Sequence, residues 1–144
     1  MSETYSEMKR RHQNEINEFP MAFAFNNEQL REALEKLNAT LEECVTIHGI
    51  GDIIKKSDVS KYREMCKRQR NELAEAMKDK DFAENAFRYE MDNHEYAINW
   101  SGDADILPCF GYKTMQEIKD LGLENAYINA KKAHMKFFEE LGLI

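Results

Sequence analysis

The chain has 144 residues, 33% of them charged and 42% hydrophobic, with a formal net charge of -7. That is the usual length of one domain, and a core of this size folds without a metal or disulfide staple. The negative balance sets the overall field against phosphate, which argues against unaided nucleic-acid binding.

The first predicted helix starts near Thr4, where Thr4 and Glu7 have the spacing of a capping box. Tyr5, Met8, His12, Ile16 and Phe19 follow at steps of three and four and make one apolar stripe. Pro20 lacks an amide hydrogen and disfavours helix at the residue before it, so this helix ends near Glu18 or Phe19. The run from Phe19 to Phe25 is the most apolar in the chain and reads as a core plug between helices. Asn26 and Gln29 signal a new start, and a second helix spans about 28–38 with Leu30, Ala33, Leu34 and Leu37 inward.

Residues 44–48 alternate and are β-branched, which predicts a strand. Residues 49–52 turn it, and residues 53–56 pair back as a hairpin. Ser57 or Asp58 then caps a long helix to about Lys78, with Val59, Tyr62, Cys66, Leu73 and Met77 inward. Asp81 and Glu84 have capping spacing for a helix to about Asn93. Residues 95–100 alternate and supply a third strand, because two strands alone are marginal. Residues 102–109 read as a loop with one helical turn. Thr114 and Glu117 begin a short helix that Gly122 ends, and a last helix carries Tyr127, Ala130, His134, Phe137 and Leu141 on one stripe. The predicted class is α+β: a helix-rich single domain, 1–144, with a small three-stranded antiparallel sheet (hairpin 44–56 plus strand 95–100) covered by helices.

No apolar signal region opens the chain and no run approaches membrane-spanning length. Cys44, Cys66 and Cys109 are scattered, with no CxxC pair and no zinc spacing. A reduced, cytoplasmic protein is therefore expected.

Several residues invite chemistry. Cys44 and His48 share one strand face, yet four residues along a strand is roughly 13 Å, too far for a direct bond. Glu90 and His94 have metal-holding spacing on a helix, but no third ligand lies near in sequence, and a histidine closing the helix explains the pair. Gly49-Ile50-Gly51 lacks the third glycine of a dinucleotide fingerprint and leads into a strand. His12 and His134 sit on apolar stripes and read as packed residues. Catalytic, cofactor and metal residues are thus not assigned, and no cofactor is expected. An enzyme would need convergent polar groups, for example Glu90, His94 and Cys109 brought together by the fold.

Charge is distributed unevenly. Residues 55–70 hold seven basic and two acidic residues, a local balance of +5. Residues 79–105 hold eight acidic and two basic residues, a local balance of -6. The bland explanation is two solvated helix faces. The functional one is an acidic partner-binding surface built from Asp81, Glu84, Glu90, Asp92, Glu95, Asp103 and Asp105.

The Phe19-Pro20-Met21-Ala22-Phe23-Ala24-Phe25-Asn26-Asn27-Glu28-Gln29 stretch has a particular company. It follows a His- and Gln-bearing helix and precedes the glycine turn into Ile53-Ile54-Lys55-Lys56-Ser57-Asp58. Glu75-Ala76-Met77-Lys78-Asp79 and Tyr89-Glu90-Met91-Asp92-Asn93-His94-Glu95-Tyr96 come after it. Over roughly residues 8 to 112 this resembles a family of small cytoplasmic proteins encoded by phages and mobile elements of gut bacteria. Its members commonly have a more glycine-rich turn followed by an aromatic where this chain has Gly49 to Ile53. Some inhibitors of Cas9, type II anti-CRISPR proteins, are similar to that family. The resemblance implies a partner-binding inhibitor. The residues show no catalytic constellation, and the acidic stretch 79–105 is compatible with such a role, since it could occupy a basic surface of a Cas9-type effector in place of phosphates. A phage interaction protein with another partner, or a homodimer, is the alternative.

Overall fold

The computed structural model describes residues 3–94 and 102–142. In chain order the elements are α1 (Tyr5–Glu18), β1 (Met21–Phe23), α2 (Asn27–Leu37), β2 (Cys44–Val45), β3 (Asp52–Lys55), α3 (Val59–Ala76), α4 (Lys80–Asn93), α5 (Asp103–Ile106), α6 (Met115–Asp120) and α7 (Glu124–Glu140). Single 3-10 turns lie at Leu41–Glu43, Lys56–Asp58 and Leu107–Phe110. The class is α+β, as the sequence predicts. The described residues group into two compact units: Arg11–Arg70, and those of Met1–Arg10 with Asn71–Ile144. The predicted strand 95–100 lies outside the described residues.

Unit Arg11–Arg70 holds a three-stranded antiparallel sheet in the order β1-β3-β2. Its third strand is β1, from the predicted plug, with Met21 opposite Ile54 and Phe23 opposite Asp52. The twofold alternation of a strand sorts the side chains. Ala22 packs with Ala33 and Leu37 of α2, beside Ile53 and Cys44. Met21, Val45 and Ile54 face the opposite way, toward Ile16, Phe19, Tyr62 and Met65. Helices thus cover both faces of the sheet. Asn26 caps α2 by accepting from the Gln29 amide at 2.8 Å, and the Gln29 side chain accepts from the Phe25 amide at 2.8 Å. The helix ends at Asn38, which adopts the left-handed conformation.

The predicted strand 44–48 stops after Val45, and Asp52 is the reason. Its buried carboxylate accepts from the Ile47 amide at 2.8 Å, the His48 amide at 3.0 Å and the Thr46 hydroxyl at 2.9 Å. Backbone amides that a longer strand would pair are drawn around this side chain instead. Gly51 completes the turn at φ 91°, where a Cβ would come within 2.8 Å of the Ala24 carbonyl oxygen and of the Phe25 ring. Gly51→Ala is therefore expected to cost about 2 kcal/mol, read as a lowered urea midpoint, whereas Gly49→Ala, with open space around it, costs only backbone strain.

The other unit is built on α4 and α7, with Tyr5 of α1. Thr4 and Glu7 form the predicted box, the Thr4 amide donating to Glu7 at 3.1 Å and the Glu7 amide to Thr4 at 3.2 Å. Thr114 caps α6 as predicted. The cap of α4 is Asp79, not Asp81: its carboxylate accepts from the Asp81 and Phe82 amides at 2.9 and 3.2 Å. Asp81 lies inside the first turn. At the core, Phe87 meets Phe110 and Tyr127 edge-on, each at 5.0 Å. The predicted α7 stripe needs one change. Phe138 is buried against His134 at 4.2 Å, while Phe137 and Leu141 are exposed. At 3.6 residues per turn a stripe through Tyr127, Ala130 and His134 continues onto position 138.

Candidate functional site

Helical periodicity puts Glu90 and His94 on one face of α4, one turn apart. Glu90 faces the core and is fully buried, and His94 closes the helix end half-exposed. The Glu90 Oε2 and His94 Nε2 atoms are 3.1 Å apart. The 3-10 turn at Leu107–Phe110 brings Cys109 to them, with Sγ 3.5 Å from His94 Nε2 and 3.4 Å from the Asp105 carbonyl oxygen. Two residues of α1 complete the cluster. The Tyr5 hydroxyl donates to Glu90 Oε1 at 2.9 Å, and Lys9 Nζ donates to the same oxygen at 2.5 Å.

The electrostatics follow from these contacts. Burial alone would raise the Glu90 carboxyl, but hydrogen bonds from Lys9, Cys109 and Tyr5 outweigh it and hold the group below its ordinary value. Glu90 is thus a buried carboxylate with a cation at one oxygen. Burial and the adjacent Glu90 charge push the Cys109 thiol up to about 12. The same two influences raise the Tyr5 hydroxyl. A thiol held protonated is not an activated nucleophile, so a Cys-His nucleophilic reading gains nothing here. Cys44 and His48 make no pair either. Cys44 lies in β2, and His48 turns toward Asp52, with Nδ1 at 3.4 Å.

The seven residues of the predicted acidic surface have different fates. Glu90 is corrected to an interior residue, because Tyr5, Lys9 and His94 gather around it. The half-exposed Asp92 accepts from buried His134 Nδ1 at 2.6 Å and lies 3.6 Å from Arg88. Asp103 accepts from the Tyr127 hydroxyl. Asp105 and Glu84 are half-buried, and Asp81 is exposed. Asp81 lines a cleft of about 400 Å³ with Glu3, Tyr5, Asp79 and Tyr89. Glu95 lies outside the described residues. Helical and loop positions that look equivalent in sequence are divided by burial, which charge counting does not sense.

The predicted core plug also needs correction. Phe23 is 55% exposed and Phe25 is 75% exposed. β1 is an edge strand, so only its Met21 and Ala22 side chains find partners on the two faces. The Ala24 amide donates to the Gly51 carbonyl at 2.9 Å. By antiparallel alternation Ala22 and Ala24 direct their backbone groups at β3, and Phe23 directs its amide and carbonyl away from it. Beside this edge runs a groove of about 380 Å³ lined by Phe23, Phe25, Gln29, Glu32 and Lys36. Pro20 is the available sequence signal for an exposed edge, since proline favours edge strands and strand starts.

Among the described residues no helix is long and apolar enough to cross a membrane. The model of a family of unknown function, DUF7659, matches residues 4–135. No curated protein and no solved structure matches the chain.

Proposed function

We propose, for a chain that belongs to the DUF7659 family of unknown function, a non-catalytic role: it binds a partner protein through the edge of β1 and inhibits it. The observation that carries this reading is the exposure of Phe23 and Phe25 on an edge strand. Unpaired strand edges recruit further strands. The occupant is an extended segment of the partner, bonding to the Phe23 backbone and setting apolar side chains against the two rings. Buried aromatics of this kind carry much of an interface's energy.

The partner class is a Cas9-type effector in the cytoplasm of a bacterial host. The sequence resemblance and the net charge of -7 support it, because a negative protein approaches basic nucleic-acid channels quickly. The test is target-DNA cleavage by a panel of purified Cas9 nucleases. The protein is added before guide loading, after guide loading, or after target binding. Inhibition that depends on the order of addition supports the role and identifies the contested surface.

Phe23→Asp and Phe25→Asp are each expected to weaken inhibition about 30-fold, with thermal stability unchanged because both rings are exposed. If instead charge reversal at Asp81, Glu84 and Asp105 removes inhibition and the phenylalanine variants do not, the acidic surface is the docking face. No inhibition across a varied panel rejects the Cas9 partner. Mass doubling with concentration, abolished by Phe23→Asp, would replace that partner by a second copy of the chain.

A further inference from the structure

We propose that Glu90, His94 and Cys109 form a binding site for a divalent cation of the zinc type. The site uses none of the residues of the β1 edge. Its three ligand atoms, one oxygen, one nitrogen and one sulfur, all lie within 4.8 Å of one another.

The spacing matches the geometry that zinc imposes. Zinc bonds of about 2.0–2.3 Å at tetrahedral angles set ligand atoms roughly 3.3–3.7 Å apart. The oxygen–nitrogen and nitrogen–sulfur separations here are 3.1 and 3.5 Å. Two edges of the triangle are thus near the zinc spacing, and the oxygen–sulfur edge is no longer than 4.8 Å. The donor set also selects the metal. Thiolate and imidazole favour zinc or cobalt over magnesium and calcium, which prefer an all-oxygen shell.

The surrounding groups orient the ligands. Tyr5 and Lys9 both occupy Glu90 Oε1, which leaves Oε2 turned toward His94. Hydrogen bonds to the far oxygen of a ligating carboxylate are a usual means of fixing its direction. In the metal-free protein the single Cys109 thiol proton has acceptors within reach, the Asp105 carbonyl 3.4 Å from Sγ and the Glu90 carboxylate. On binding, the Cys109 S–H bond breaks, the sulfur pair forms the metal bond and the proton leaves to solvent. Three protein ligands leave the fourth tetrahedral position for water or a small thiol or imidazole ligand. The nearby Lys9 charge opposes the cation, so binding is weaker than at an all-cysteine structural site.

The experiment uses the full-length protein, reduced and stripped with a chelator, then titrated with Co²⁺ and afterwards Zn²⁺. Expected are one Co²⁺ per chain, a thiolate-to-cobalt charge-transfer band with tetrahedral visible bands, and their bleaching by zinc. Cys109→Ser removes the charge-transfer band, and Cys44→Ser and Cys66→Ser retain it. His94→Gln, at a half-exposed position, weakens binding at least about tenfold while far-UV circular dichroism stays unchanged. Absence of a thiolate band at stoichiometric cobalt overturns the proposal. So does a band that survives Cys109→Ser, or affinity unchanged in a folded His94→Gln protein.

Discussion

Phe87→Ala is expected to destabilise the unit that contains it by about 4 kcal/mol, the middle of the range for a buried aromatic. The ring is fully buried and meets Phe110 and Tyr127 edge-on at 5.0 Å each. Those two rings come from the 3-10 turn after α5 and from α7. Phe110 is itself 5.4 Å from Tyr5. Removing the central ring leaves walls on separate segments, each fixed by further contacts, so the space cannot close by one side chain swinging in. The loss combines transfer energy with the energy of the remaining cavity. A urea midpoint lowered by about 2 M, with unchanged slope, is the expected result. Phe87→Leu, which keeps most of the volume, should lose about 1.5 kcal/mol. Equal midpoints for the alanine and leucine variants would show that the site collapses and that the cavity contributes nothing.

Asp52→Asn should cost about 3 kcal/mol at neutral pH. The carboxylate is fully buried and accepts from the Ile47, His48 and Ile50 amides and the Thr46 hydroxyl. Asparagine has one acceptor oxygen, so its amide group would face backbone donors, and the charge-assisted bonds would be lost. Burial by itself would raise this carboxyl, but the His48, Ile47, Thr46 and Ile50 hydrogen bonds overcome that and hold it far below the ordinary range. The sign of the pH dependence follows. A depressed folded value stabilises fully above the unfolded value of about 3.9 and loses that contribution as pH falls below it. The gap between wild type and Asp52→Asn should therefore be constant from pH 7 to about 5 and narrow as pH falls to 3. A gap that widens on acidification would contradict the assignment.

The sequence made the ends of elements easier to read than their partners. Thr4, Asn26 and Thr114 cap helices as their spacing suggests, because a cap is decided within four residues. Asp79 took the cap expected of Asp81 because two acidic residues lie within reach of the same helix start. The predicted hairpin pairs, but its first strand is shorter than 44–48 for a related reason. Its alternation is genuine, but Asp52 competes for its amides, and a side chain competing with the ladder leaves no periodic trace. Phe23 and Phe25 read as core in the sequence because apolarity alone does not say which strand lies at an edge. At the cluster around Glu90, the one-turn relation to His94 was visible. The arrival of Cys109 depends on the 3-10 turn, and that of Tyr5 and Lys9 on a helix more than 80 positions earlier. No local pattern encodes such meetings.

Tyr5 bonds to Glu90, 85 positions further along the chain. The unit Arg11–Arg70 is one uninterrupted segment, whereas its companion joins the first ten residues to the last stretch. On the ribosome, the uninterrupted unit possesses all its residues as soon as Arg70 has emerged. Tyr5 is made before any of them, yet its aromatic neighbours Phe82, Tyr89 and Phe110 are made after all of them. Domains form in order of synthesis, and a long loop delays the contacts that close it. Tyr5 therefore waits for its place until Phe110 has been made. Until then its aromatic ring lacks the neighbours that bury it, so closing this unit is a late, long-range step compared with the uninterrupted one.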